Sequence, residues 1–226
     1  PADQDLIRGL SDATGAMAFY GLLGAKPPTT GASVNAARWL VPQRRGTRRS
    51  WVEVDQGKEY PTQFEKMFGV TSWRPYQVVI ELHDPKGKGE PYRIAGAICY
   101  DATDISLAAD LRDVSNMFVV TAMNRDVKTF DNMVSALRYH MYQHVLIANT
   151  GEFGGSTAQA PYEKEHDRLI AHVHGNHQIA ISLFDVDLNH FGPKLTALRP
   201  ENSKVEPKEA PKQRYGKTKP AGLKRK

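Results

Sequence analysis

The chain holds one cysteine, Cys99, at the end of the run Arg93-Ile-Ala-Gly-Ala-Ile-Cys99-Tyr100-Asp101. Six mostly apolar residues followed by a polar turn read as a buried strand that carries a thiol to its C-terminal end, just ahead of a helix. In α/β sheets the loops beyond strand ends converge on a crevice, so this is a place where sites form. A thiol there becomes a nucleophile when a cation or backbone amides stabilise its thiolate. The same residue also reads as buried apolar filler, and with a single cysteine no internal disulfide competes with these two readings. The histidines offer a different chemistry. His172 and His174 share one face of a predicted strand with His177 close by, and His140 and His144 fall four apart on a predicted helix. Neither set carries a carboxylate or thiol in a ligand motif, so they read as surface or interface histidines, with no metal.

Apolar runs of strand length, separated by turn residues, supply the frame for these groups. Strands are expected at 33–41, 77–82, 92–98, 117–122, 145–149, 156–160, 169–174 and 179–185, and helices at 104–112 and 131–143. In the second helix Met133, Val134, Leu137 and Met141 follow the spacing of one buried stripe, which reads as core or subunit interface, with Thr129 as the expected N-cap. Strands interleaved with helices make an α/β fold. Residues 12–31, rich in Gly, Ala, Pro and Thr, show no clear period, and 44–49 read as a basic loop; no internal repeat is found.

The net charge of +5 resides in the C-terminus. Residues 201–226 hold nine Lys or Arg against three Glu, a balance of +6 that leaves the rest of the chain at −1. This segment is nearly free of large apolar side chains and reads as a disordered basic tail: a solvated terminus, or an electrostatic contact with a nucleic acid or an acidic partner. Residues 1–200 read as one globular domain. No apolar run approaches the ~20 residues that span a bilayer, and no signal-peptide core opens the chain. The expected setting is cytoplasmic, without a membrane partner.

The segment Gly96-Ala-Ile-Cys99-Tyr100-Asp101 resembles the nucleophile motif of the nitrilase superfamily of carbon-nitrogen hydrolases. Upstream, Gln56-Gly57-Lys58 followed by Glu65 is similar to that family's lysine motif, with the second carboxylate seven residues on. Downstream, 145–151 with Gly154-Gly155-Ser156 and Pro161 resembles its strand, Asn, Gly and Gly-Ser pattern, and Asp185-Val-Asp-Leu188 its closing strand. The resemblance implies a four-layer α-β-β-α sandwich, Cys99 as nucleophile, Lys58 and the backbone amide of Tyr100 as oxyanion donors, and Glu65 orienting Lys58 or the substrate's amine. It implies no cofactor, a small amide-like substrate and a homodimer or larger homo-oligomer formed through the helices after Cys99 and after Thr129, with the Met and Val stripe as an adhesive face.

The chain also departs from the family pattern. No glutamate precedes Glu53, so the family's upstream general base is not found. Either the first strand-helix unit lies outside the chain, which is the expectation adopted here, or the base has been lost. The segments after Cys99 and around Leu137-Arg-Tyr-His-Met141 also differ, placing the chain in a divergent branch. Two functions follow: a thiol hydrolase working through a cysteine thioester, or a degenerate scaffold or assembly module of a larger polypeptide. Similar domains occur fused to reverse-transcriptase-like proteins of bacterial antiviral defence, and a fusion of that kind is an expectation of the second reading.

Overall fold

A computed structural model describes residues 2–27, 31–45, 48–84 and 89–191. The chain is a mixed α/β protein with two sheets. Elements run α1 (Ala2–Thr14), β1 (Ala18–Ala25), β2 (Ser33–Arg45), β3 (Arg48–Gly57), α2 (Gln63–Met67), β4 (Val70–Thr71), β5 (Val79–Leu82) and β6 (Tyr92–Ile98). A 3-10 turn (Cys99–Thr103) leads to α3 (Ile105–Leu111), β7 (Met117–Ala122), α4 (Val127–Met141), β8 (His144–Asn149), β9 (Thr157–Gln159), α5 (Glu165–Arg168) and β10 (Leu169–His172). One sheet has the order β1-β2-β3, with β4 beside β2; the other has the order β10-β9-β8-β7-β6-β5. By contact, the described residues within 1–78, 96–104 and 120–123 form one compact unit, and those within 79–95, 105–119 and 124–191 form another.

The first unit is built on a long antiparallel meander. β2 pairs with β1 from Ala18↔Leu40 to Ala25↔Val34, and with β3 from Ala36↔Gly57 to Arg45↔Arg48. Val34, Ala36, Ala37, Trp39 and Leu40 form its buried centre. Trp39 stacks on Phe19 with ring centroids 4.1 Å apart, and Gly96 lies under this pair: a Cβ there would meet Trp39 at 2.6 Å and Phe19 at 2.8 Å. Only glycine lets β6 pass so close to the two rings. On the opposite face of the meander Arg38 is clamped by Asp55 (2.6 and 2.8 Å) and reaches Glu53 at 3.0 Å.

In the second unit α4 buries Phe130, Val134, Leu137 and Met141. The stripe therefore belongs to the chain's own core and is not an adhesive face; Met133 is half-buried. Ala158, Ala160, Tyr162, Ile170 and Phe191 form a further buried cluster.

Several expectations are corrected. α4 begins at Val127 under an Asp126 cap, whose side chain accepts from the amide of Thr129, so Thr129 sits inside the first turn. The helix ends at Met141 and His144 opens β8, so His140 and His144 do not share a helix. Residues 179–185 form no strand, only an isolated bridge at Phe184, because Ile179, Ile181 and Leu183 are exposed at 97%, 85% and 64% and gain nothing from alternation. The closing-strand match at Asp185 falls with it. Among the elements that the sequence left unassigned, α1, β1 and β3 are the long ones; the short α2, β4 and α5 are the others. The basic tail lies outside the described residues.

Candidate active site

The first unit gathers the residues that the sequence singled out. β6 runs buried to Ile98 and stops at Cys99, whose φ of 49° puts a non-glycine residue in the left-handed region. That conformation costs about 1–3 kcal/mol and persists where surroundings over-determine it. Cys99 is part-buried and starts the 3-10 turn, so strand and turn meet at the thiol.

Asp101, two residues on, holds this turn against a second segment. Its carboxylate is 4% exposed and accepts from the backbone amides of Glu59 (3.0 Å) and Tyr60 (2.9 Å). Burial pushes its pKa up to about 6, against the lowering effect of those two amides and of the Lys58 charge. The segment so held begins at the end of β3. Gln56, fully buried, donates to the carbonyls of Tyr76 and Gly96 at 2.8 Å each and accepts from the Trp39 indole at 3.2 Å. Gly57 lies so close to Trp73 that a Cβ would fall 1.7 Å from its carbonyl oxygen. Lys58 follows, anchored through its amide to the carbonyl of Asn35 at 2.9 Å.

The Lys58 side chain is 1% exposed, and its ammonium donates to both oxygens of Glu65 at 2.7 and 2.6 Å. Glu65 is positioned by a short helix: Thr62 caps α2, its side chain accepting from the Glu65 amide, while the Glu65 carboxylate accepts from the Thr62 amide at 2.5 Å. This reciprocal capping box sets the carboxylate over the helix entrance. Asn35 on β2 donates to the same carboxylate through Nδ2. Burial raises the Glu65 pKa, but the Lys58 hydrogen bonds, the Thr62 amide and the Lys58 charge outweigh it and hold the group below its usual range. Glu65 is thus an ionised anchor with its acceptors occupied, placed to orient Lys58 rather than to take a proton.

An open cleft of about 540 Å³ lies beside these residues, lined among others by Glu59, Tyr60, Lys66, Ser72 and Tyr100. Tyr100 is half-exposed in the first turn after Cys99. Glu53, the first glutamate in the sequence, is engaged by Arg8 at 2.6 Å and by Arg38. Asp101 and Gln56 stand inside the two motif segments without a role assigned to them there, and Asn35 carries no local cue.

In the second unit His172 Nδ1 lies 2.8 Å from His174 Nε2, and His172 Nε2 lies 3.1 Å from Asp131 of α4. That carboxylate is distant in sequence and invisible to local spacing. Among the described residues no group of three or more His, Cys, Asp or Glu is arranged to hold a metal ion.

No family model and no curated protein matches the sequence. Solved structures do match. An amidase from Nesterenkonia sp. aligns with a TM-score of 0.54 at 12% identity, over 75% of this chain and 61% of that one. A glutamate-to-glutamine variant of the amidase from Nesterenkonia sp. AN1, carrying the acetamide moiety of fluoroacetamide on its active-site cysteine, aligns with a TM-score of 0.52 at 13% identity over 75% and 61%. A CN-hydrolase superfamily protein from Xanthomonas campestris, with an arsenic adduct in its active site, aligns with a TM-score of 0.50 at 15% identity over 70% and 60%. This chain spans about 60% of the length of those proteins. The likeness establishes the fold: the chain has the α/β architecture of nitrilase-superfamily amidases. No helix among the described residues is long and apolar enough to cross a membrane.

Proposed function

We propose that this chain carries the core of a cysteine hydrolase that cleaves a non-peptide carbon-nitrogen bond in a small amide-like substrate. The observation that carries the reading is the buried Lys58–Glu65 pair, tied through Asp101 to the strained turn that begins at Cys99. Burying an ammonium is costly unless it is paired and hydrogen-bonded. A lysine kept 1% exposed next to a thiol-bearing turn is therefore placed for a charge that appears during reaction.

In the proposed sequence the Cys99 thiol loses its proton and the sulfur attacks the carbonyl carbon. The oxyanion that forms is held by the Lys58 ammonium and the Tyr100 amide. Collapse breaks the C–N bond, the departing nitrogen takes up a proton, and a thioester remains on Cys99. Water attacks the thioester, releasing the carboxylate and restoring the thiol. Glu65 holds Lys58 in place and Asp101 holds the turn. Glu65 and Glu53 are both committed to cations, so neither is suited to be the base. Loss of a positioned base removes about 10² to 10⁴ in rate, and we propose that the 226-residue chain alone turns over slowly while its thiol still acylates. The adduct on the active-site cysteine of the Nesterenkonia amidase variant, which keeps the acetamide moiety and so records a nucleophilic sulfur rather than an acylated one, supports looking for a nucleophilic thiol at Cys99.

Turnover of short aliphatic amides, followed by ammonia release, tests the reading: the activity of the purified chain should vanish in Cys99→Ala, and activity that survives this change would end it. A second reading, a scaffold or assembly module within a larger polypeptide, including a fusion to a polymerase, draws on the full occupation of Glu65. It predicts no amide-dependent ammonia release at all. Under either reading we propose a homo-oligomer in a cytoplasmic setting, assembled through surfaces other than the α4 stripe, and contact of the basic tail with a nucleic acid or acidic partner.

A further inference from the structure

β10 ends on His172, and His174 follows at the spacing that puts two side chains on one face of an extended segment. The residue between them is fixed at both of its polar groups. The Val173 amide donates to the Ser156 carbonyl at 2.8 Å, and the Val173 carbonyl accepts from the Gly155 amide at 2.9 Å. The turn beyond is held as well. Gln178 donates through Nε2 to the His174 carbonyl and through its amide to the Gly151 carbonyl at 3.1 Å. Gly154 passes so close that a Cβ there would fall 1.6 Å from the Gly175 carbonyl oxygen. The two imidazoles thus rise from a backbone pinned on both sides, the kind of support that keeps a pair of ligands in register.

His172 is also oriented by its side chain, which is 12% exposed. Its Nε2 lies 3.1 and 3.2 Å from the two oxygens of Asp131 on α4. A carboxylate accepts and does not donate, so Nε2 carries the proton and the lone pair is left on Nδ1. Nδ1 in turn lies 2.8 Å from His174 Nε2. An in-line N–H···N bond of that length sets two imidazole centroids about 5 Å apart. These centroids are 4.0 Å apart at an interplanar angle of 72°, so the nitrogens face one another obliquely, which serves a shared proton poorly. Two nitrogens that ligate one ion at ~2.0–2.1 Å stand about 2.9–3.4 Å apart, close to the spacing found here. A carboxylate on the far nitrogen is also what fixes the tautomer of a ligating histidine and raises its basicity.

We infer that His172 Nδ1 and His174 Nε2 form a two-nitrogen site for a divalent transition-metal ion, with Asp131 as the positioning residue behind His172. Among the described residues no third His, Cys, Asp or Glu completes it, so the remaining positions belong to water or an incoming ligand and the ion is exchangeable. Imidazole donors rank Cu2+ above Ni2+ and Zn2+. Binding needs both facing nitrogens bare, so the proton between them leaves to His174 Nδ1 or to solvent, and uptake weakens as pH falls. The site does not depend on the Cys99 chemistry.

The test uses the full chain, cleared of metal with a chelator and titrated with Cu2+. Calorimetry reads stoichiometry and affinity, and electron paramagnetic resonance reads the coordinating nitrogens. The parent and Cys99→Ala, in which no thiol contributes, should both take up one equivalent with the signature of two imidazoles. His174→Asn should remove that equivalent, and because His174 is exposed the fold is not at risk. His172→Asn should remove it too, and Asp131→Asn should weaken it about tenfold or more. His140→Asn and His166→Asn, both at exposed positions, should leave it unchanged. Ni2+ and Zn2+ should compete for the same site with lower affinity. The inference is overturned if the chain takes up no saturable equivalent of Cu2+, or if His174→Asn binds within twofold of the parent, which would assign the ion to another group. It is also overturned if Asp131→Asn has no effect, or if Cys99→Ala abolishes uptake.

Discussion

Glu65→Gln tests the buried ion pair with a change of one charge and almost no change in shape. The wild-type carboxylate takes four hydrogen bonds from three groups: the Lys58 ammonium on both oxygens at 2.7 and 2.6 Å, the Thr62 amide at 2.5 Å, and Asn35 Nδ2. Glutamine keeps one acceptor oxygen and turns the other position into a donor, which must face another donor. Lys58, 1% exposed, is left with a neutral partner and no route to water. Removing one member of a buried pair costs about 3–5 kcal/mol. The Glu65 side chain is 17% exposed and glutamine retains one bond, which sets the loss near the lower end, at about 2–4 kcal/mol. Urea unfolding followed by circular dichroism reads this as a fall in midpoint of about 1 M at unchanged slope, for a slope of roughly 2–3 kcal/mol/M. Adding Lys58→Met should restore part of the loss, because the stranded charge is gone. A midpoint within about 0.2 M of the parent would refute the argument. The pH dependence has a defined sign: Glu65 is held below 4.5, so its contribution is complete above that value and disappears as pH falls through the depressed pKa.

His144 is fully buried beside Tyr162 and Phe191, and its pKa falls from 6.5 to about 4 through burial and the nearby His190. Between those values the unfolded chain binds a proton that the native one refuses, so stability drops on acidification from 6.5 to 4 by about 3 kcal/mol; His144→Phe should remove that component from the stability-pH curve, and an unchanged curve contradicts it. Asp101 acts with the opposite sign: raised to about 6 from 3.8, it makes stability fall as pH rises across that interval, and Asp101→Asn should show a correspondingly more positive slope than the parent there. Gly57→Ala brings a Cβ to 1.7 Å from the Trp73 carbonyl oxygen, a backbone atom with no rotamer to yield, so a loss of about 2 kcal/mol or more should appear in the same urea assay, with slower alkylation of Cys99; a neutral effect would show that the approach is not tight.

The parts of this fold that were legible in the sequence are those where local pattern and tertiary role agree. The strand 92–98 is read to the residue because its apolar run ends at a turn that must present a side chain, and 117–122 because burial alternates along it. α1 went unassigned; its Leu6 and Leu10 fall at helical spacing but remain exposed at 64% and 57%, so that stripe does not mark a core. β3 was hidden by its arginine-rich entry, which reads as loop until its register against β2 is known. The α4 start shifted because Asp126 and Thr129 are both good caps and only the hydrogen bond between them decides. Of the candidate site, Cys99 was legible from its place at a strand end, and Lys58 and Glu65 entered only through the family resemblance. Asp101, Asn35 and Gln56 act across 30 to 42 residues of chain, a reach for which local sequence carries no signal.

The most direct test of the central claim is the rate at which fluoroacetamide modifies Cys99, followed by intact-protein mass spectrometry in the parent chain and in Lys58→Met. If Cys99 is a nucleophile served by the Lys58–Glu65 pair, the parent gains one adduct, Cys99→Ala gains none, and Lys58→Met reacts at least tenfold more slowly while remaining folded by circular dichroism. Equal rates in the parent and Lys58→Met, or no adduct on Cys99 under conditions that alkylate a free thiol, would contradict the account.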